Sequence, residues 1–68
     1  KMSVDKLLIS KEISNHIKKS EYCHGLAVNT TGPGELLELL EMSGIYKIAG
    51  VELTVDNLRK SWEDANNA

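Results

Sequence analysis

The sequence predicts a small α+β (or small α/β) domain with about three helices, one short strand and a small hairpin. Two observations support this class. In residues 34–64 each element boundary carries a residue suited to a cap or a turn. The 68 residues also make one domain, near the lower size limit for a core without a metal or disulfide. Residues 1–68 are therefore expected to form a single small domain, either an accessory domain or a fragment of a larger protein.

The first helix is predicted over residues 11–20. Ser10 suits its N-cap, and Ile13 and Ile17 lie one turn apart on one face. Residues 6–9 allow two interpretations, a short buried strand or the first part of a longer helix.

The longer helix would run over residues 4–20 with Ser3 as its cap. We favour it because Asp5 suits the first turn, where the helix dipole stabilises an anion. It also extends the apolar stripe through Val4, Leu8 and Ile9.

The next elements are a strand and a second helix. Residues 25–29 are predicted to form one short strand, and residues 29–34 a loop. The second helix spans residues 34–43, with Thr31 as its cap and Pro33 in its first turn. Its apolar face comprises Leu36, Leu37, Leu39 and Leu40, and its opposite face comprises Glu35, Glu38 and Glu41. Gly44 suits the left-handed position that ends a helix.

The last part of the chain is predicted to be a hairpin and a third helix. Residues 45–53 alternate apolar and polar side chains around Ala49-Gly50, although a single strand with a glycine bulge fits as well. Thr54 caps a helix over residues 55–65, with Asp56 in its first turn. One face carries Val55, Leu58, Trp62 and Ala65, whereas the Asn-Asn-Ala tail is expected to fray.

Composition narrows the class of protein. The single cysteine, Cys23, excludes an internal disulfide. That fits a protein of the reducing cytoplasm, or a domain that never needed oxidation. No apolar run approaches the about 20 residues of a membrane span, so no membrane partner is expected. Phenylalanine is absent and the core is light. Stabilisation by a partner, either in a homodimer or on a larger protein, fits such a core.

Charge is divided unevenly along the chain. Residues 1–31 carry five lysines against three acidic residues, or +2, and residues 32–68 carry three basic against seven acidic residues, or −4. A net charge of −2 disfavours tight nonspecific nucleic-acid binding, which depends on neutralised phosphates. A weak site would use the lysines of the first helix and a tyrosine: Lys11, Lys18, Lys19 and Tyr22.

No catalytic, cofactor or metal site is predicted. His16, Cys23 and His24 lack the paired spacing of a structural zinc site, and no carboxylate is evident to orient a Cys-His pair. The loop before the second helix has no following Lys-Ser/Thr, so it is not a phosphate-binding P-loop. We therefore expect a protein that is not an enzyme and has no cofactor.

Residues 16–65 resemble the C-terminal half of a STAS domain, the anti-anti-sigma type of regulatory domain. The similarity is most specific at Met42-Ser43-Gly44, within the run from Leu36 to Ile48 that follows Leu26-Ala27-Val28-Asn29. The first half of that family and its phosphorylated-serine motif have no counterpart here. The resemblance implies a protein-binding regulatory module and carries no phosphoserine switch to this chain.

Two functions follow as hypotheses. The first is a noncatalytic regulatory or protein-interaction module that meets an unidentified protein partner through Glu35, Glu38 and Glu41. Three like charges on one helix face repel each other, and a basic partner would relieve that repulsion. The alternative is a nucleic-acid-binding accessory domain of a replication, repair or viral protein that uses the lysines of the first helix.

Overall fold

The computed structural model describes residues 4–67, and the side chains of residues 6–67. Four helices and one two-stranded sheet follow in the order α1 (Val4–Lys19), α2 (Glu21–Val28), α3 (Pro33–Met42), β1 (Lys47–Ile48), β2 (Val51–Glu52) and α4 (Val55–Asn66). A mostly helical chain with a small sheet is compatible with the predicted α+β class. The expected count of about three helices is wrong, because a further helix occupies the position predicted to be a strand.

Helix α1 is the longer of the two helices considered for the first segment. It runs over Val4–Lys19, so the alternative strand at residues 6–9 is wrong. The expected cap at Ser3 and the side chains of Val4 and Asp5 lie outside the described residues.

The buried stripe of α1 differs from the predicted stripe at one position. Ile13 and Ile17 are buried and Ile9 packs on the core, at the four-residue spacing of one helix face. Leu8 was expected on this stripe but is 59% exposed, because it lies on the opposite side of the helix. Ser10 and Ser14 complete the buried side.

Helix α2 replaces the strand that was predicted at residues 25–29. Ser20 begins it, since its Oγ accepts a hydrogen bond from the Cys23 backbone N–H at 3.2 Å. Cys23 and Ala27 are buried four residues apart, as one helix face requires. Asn29 ends the helix by donating from its side chain to the Gly25 carbonyl at 2.8 Å. The apolar stretch is therefore one face of a short helix.

Helix α3 begins one residue later than its predicted cap implied. Gly32 occupies the N-cap and Pro33 the first turn, so Thr31 is not the cap. The Thr31 backbone N–H instead donates to Glu35 Oε1 at 3.1 Å. The predicted end is confirmed, because Gly44 has a φ of 82°. The Gly44 N–H donates to Glu41 O and the Ile45 N–H to Leu40 O, each at 2.9 Å, which is the Schellman arrangement.

The hairpin predicted within residues 45–53 is confirmed, and the alternative single strand is wrong. Lys47 pairs with Glu52 and Ile48 with Val51 in antiparallel register. Ala49 and Gly50 connect them with φ values of 55° and 76°, as a type I′ turn requires.

Helix α4 begins at the predicted cap. Thr54 Oγ1 accepts from the Asn57 N–H at 3.1 Å, and Asn57 Oδ1 accepts from the Thr54 N–H at 2.9 Å, which forms a capping box. Val55 was predicted to lie on the same face as Leu58 but is 39% exposed. Ser61, which was not predicted on that face, is buried. Asp56 lies in the first turn, as predicted.

The end of α4 is anchored by side chains that contact the α2–α3 turn. The half-buried Trp62 donates from Nε1 to Thr30 Oγ1 at 3.0 Å and to Thr30 O at 3.2 Å. Asn66 donates from Nδ2 to Ala27 O at 3.0 Å, so the expectation of a frayed tail is wrong at this residue. Ala68, the last residue of that tail, lies outside the described residues.

Helix α4 lies at the centre of the packing. It packs on α1, α2 and α3, whereas α1 and α3 meet mainly through α4 and α2. Helices α1 and α4 run in the same direction, because Ser10 lies near Asn57 and Ser14 lies near Ser61. The core comprises Ile13, Ile17, Cys23, Ala27, Leu36, Leu40, Leu53 and Leu58.

Candidate partner-binding surface

The outward side of α3 forms the acidic face, which we define as Glu35, Glu38, Glu41 and Met42. All four side chains are exposed, and Met42 is 82% exposed. Spacings of three, four and seven residues place them on one side of the helix, opposite Leu36 and Leu40. The structure thus brings the three predicted glutamates together and adds a large apolar side chain to them.

The acidic face is electrostatically unfavourable in the free protein. Glu35 Oε1 accepts the Thr31 N–H, but within residues 4–67 neither Glu38 nor Glu41 forms an ion pair. Both lie toward the C-terminal end of α3, which carries the negative end of the helix dipole and has no basic residue in its last turn. A cationic partner would relieve both unfavourable terms.

Two exposed tyrosines belong to segments that meet the C-terminal end of α3. Tyr22 is 57% exposed, and its hydroxyl hydrogen-bonds with Ser43 Oγ, which places the ring next to the end of the helix. Tyr46 follows the Gly44 turn and is 61% exposed. Tyrosine and methionine are enriched at protein interfaces relative to the remaining surface.

The four residues predicted to bind nucleic acid are not brought together. Lys11 and Lys19 line one shallow depression of about 440 Å³ on the outward side of α1, together with Glu12 and His16. Lys18 and Tyr22 lie elsewhere, the first in a cleft between helices and the second at the end of α3.

The cleft between α1, α2 and α4 contains a partly buried hydrogen bond that links two of these helices. It has a volume of about 320 Å³ and includes Lys18, His24 and Ser61. Ser14 Oγ donates to Asp64 Oδ2 at 2.6 Å. This hydrogen bond, together with Lys60 and Lys18, holds the pKa of Asp64 below its ordinary value, although burial opposes the shift.

The three soft metal ligands of the sequence lie in different environments. Cys23 is buried in the core, His16 is exposed on α1, and His24 lines the cleft on α2. In the part of the chain that the structure describes, no group of three or more His, Cys, Asp or Glu side chains could hold a metal ion. No helix among those residues is long and apolar enough to cross a membrane.

The sequence analysis assigned neither Met42 nor Tyr46 to a partner site, and it assigned Tyr22 only to the nucleic-acid alternative. Met42 had a usable signal, because it follows Glu38 by four residues and Glu35 by seven. Tyr22 and Tyr46 had none, since their positions depend on how α2 and the Gly44 turn meet the end of α3.

Comparison of the chain with protein-family models, curated proteins and solved structures finds no match. Its function is therefore inferred from the chemistry and geometry of its own side chains.

Proposed function

We propose that the chain is a noncatalytic protein-interaction module whose binding surface is the acidic face of α3 together with Tyr22 and Tyr46. One observation carries the proposal: among the side chains that the structure describes, Glu38 and Glu41 have no ion-pair partner, and the highly exposed Met42 lies on the same face. This combination destabilises the free helix and leaves apolar area in water. A bound partner with positive charge and an apolar side chain would remove both costs.

The chemistry of the surface defines the kind of partner. Lysine or arginine side chains would neutralise Glu38 and Glu41, and a leucine-sized side chain would cover the exposed Met42. An amphipathic basic helix presents both groups at three- and four-residue spacing, as the acidic face does. A regulatory role for this binding is the expectation that the STAS resemblance adds, and it stays a proposal.

The binding surface is tested with a synthetic amphipathic peptide of lysines and leucines at helical spacing. Amide ¹H–¹⁵N spectra of the chain should shift at residues 38–46 and at Tyr22, with weaker binding as salt rises. A peptide with glutamates in place of the lysines should leave the spectra unchanged.

A pair of matched variants makes this test specific. Glu38→Gln/Glu41→Gln should weaken peptide binding by about tenfold, the size of effect that charge pairs at interfaces have. Glu52→Gln/Glu63→Gln removes the same charge from β2 and α4, at two exposed positions outside the acidic face, and should bind as the unchanged protein does. Equal affinity in all three proteins, or shifts confined to other helices, would exclude the acidic face as the binding surface.

Nucleic-acid binding is the second candidate, supported by the presence of Lys11 and Lys19 on one surface of α1. Glu12 lies on that surface, and Lys18 lies in the cleft with Asp64, so fewer cations are available than the sequence suggested. Titration with a short single-stranded oligonucleotide at low salt is the test. Shifts confined to α1 that fade as salt rises would favour this candidate, and an unresponsive spectrum would remove it.

A further inference from the structure

We infer that the acidic face binds a second copy of this chain, through the outward side of α1. This inference rests on the proposed function and names its partner. The complementary surface, here called the basic face, has two lysines against one carboxylate and comprises Leu8, Lys11, Glu12, Asn15, His16 and Lys19. It offers positive charge and an exposed leucine, which are the two features that the acidic face requires.

The basic face has the composition of the partner described above. Leu8 is 59% exposed and its neighbour Leu7 is 52% exposed, so α1 leaves apolar area in water. Lys11 and Lys19 lie on the same surface as Leu8, and no ion pair engages either lysine among residues 4–67. The net charge of the sequence agrees with this pairing, because residues 1–31, which contain α1, carry +2 and residues 32–68, which contain α3, carry −4.

The spacings of the two faces match when the helices meet antiparallel. Leu8 and Lys11 are three residues apart, and Met42 and Glu38 are four apart, or about 4.5 and 6 Å along a helix. Leu8 can therefore lie on Met42 while Lys11 lies near Glu38. Asn15 then falls near Glu35, and Lys19 extends beyond that end of α3.

The position of the two faces decides the type of assembly. Helices α1 and α3 both pack on α4, and they contact each other far less than either contacts α4. In the proposed contact the acidic face of one copy meets the basic face of another, so two different surfaces are joined. The contact is heterologous, and each added copy leaves one free face at either end, so the assembly grows beyond two chains.

The contact is small, and this sets its strength. About three turns of helix from each copy meet, which is at the low end of specific interfaces. Association is therefore weak, increases with protein concentration and decreases with salt.

Sedimentation velocity of the full chain tests the inference. At low salt the weight-average mass should rise with concentration past two chains, and high salt should return it to one. A mass that stays at one chain across the concentration range, or that stops at a two-chain species, would overturn the inference.

Two variants test which faces meet. Glu38→Gln/Glu41→Gln alters only the acidic face, and Lys11→Gln/Lys19→Gln alters only the basic face. Each alone should lower the association constant by about tenfold, with helix content unchanged in circular dichroism. Mixed together, they should form a 1:1 pair that is tighter than either self-association, because one intact face of each kind is present.

The mixture also separates this inference from the proposed function. If mixing gives no more association than the separate variants, α1 is not the partner of the acidic face. Binding of the Lys-Leu peptide to the unchanged protein would then leave the proposed function in place. If the unchanged protein neither self-associates nor binds the peptide, the inference and the proposed function are both wrong.

Discussion

Helices α3 and α4 are similar in length, but their polar side chains are arranged in opposite ways. Helix α4 begins with a reciprocal capping box and carries two ion pairs, Asp56 with Arg59 and Lys60 with Asp64. Helix α3 has no side-chain cap hydrogen bond at its start, and two of its exposed glutamates, Glu38 and Glu41, lie toward the dipole end that repels anions. Helix α4 thus carries favourable local contacts at both ends, whereas α3 retains an unfavourable surface, the one proposed to bind a partner.

The largest expected effect is on α4, through Trp62→Ala. Loss of the half-buried ring and of the indole hydrogen bonds to Thr30 should lower the free energy of unfolding by about 3 kcal/mol. That is a large fraction of the stability of a domain this small. Urea denaturation followed by circular dichroism measures it. A midpoint equal to that of the unchanged protein would show that α4 does not organise the core.

The second largest loss of stability is expected from a substitution at the C-terminal end of α3. Gly44 has a φ of 82°, so Gly44→Ala should destabilise the domain by about 1–2 kcal/mol, the cost of a side chain in left-handed backbone. Gly34→Ala is the matched control, because Gly34 lies inside α3 with open space around an added Cβ, and alanine favours a helix there. Thermal unfolding should show a lower melting temperature for Gly44→Ala and a higher one for Gly34→Ala. Equal decreases in the two melting temperatures would contradict the assigned end of α3.

Removing the cap of α4 is expected to have a smaller effect. Thr54→Ala eliminates the acceptor for the Asn57 N–H and should cost about 1 kcal/mol. Thr31→Ala is the comparison, since Thr31 precedes α3 without capping it and its backbone N–H is kept. Chemical denaturation of the two variants should show a loss for Thr54 alone, and equal losses would erase the contrast between the helix starts.

The smallest expected effect is an increase in the free energy of unfolding. Glu38→Gln/Glu41→Gln should stabilise the free protein by about 0.5 kcal/mol, because it relieves repulsion between the two side chains and with the helix dipole. The gain should shrink in high salt, which screens exposed charges. Differential scanning calorimetry at two salt concentrations measures it. A loss of stability would mean that the glutamates support the free fold, and the binding argument for α3 would lose its basis.

The parts of the fold that the sequence predicts correctly are those that a local residue determines. Thr54 determines the start of α4, Gly44 the end of α3, and Gly50 the turn of the hairpin. Each acts within a few residues of its own position, so its effect can be inferred without knowledge of the rest of the molecule.

The elements that it predicts incorrectly depend on packing. A short apolar run such as Gly25-Leu26-Ala27-Val28 fits a strand or a helix equally well, and burial of Cys23 with Ala27 selects the helix. Likewise the burial of Ile13 and Ile17 fixes the phase of α1 and turns Leu8 outward.

The candidate surface also has one part that local sequence predicts and one part that depends on packing. Periodicity alone predicts that Glu35, Glu38 and Glu41 share an exposed side of a helix. The addition of Tyr22 depends on its contact with Ser43, a residue 21 positions away in the chain.

The parallel packing of α1 on α4 has a consequence for how the chain folds during synthesis. Helix α1 leaves the ribosome first, yet its most extensive contact is with the last helix. Until residues 55–66 emerge, Ile13 and Ile17 lack the surface that covers them, and local helix formation cannot complete the core. The nascent chain therefore stays open, with these side chains available to chaperones or to other chains, until almost the whole domain has been made.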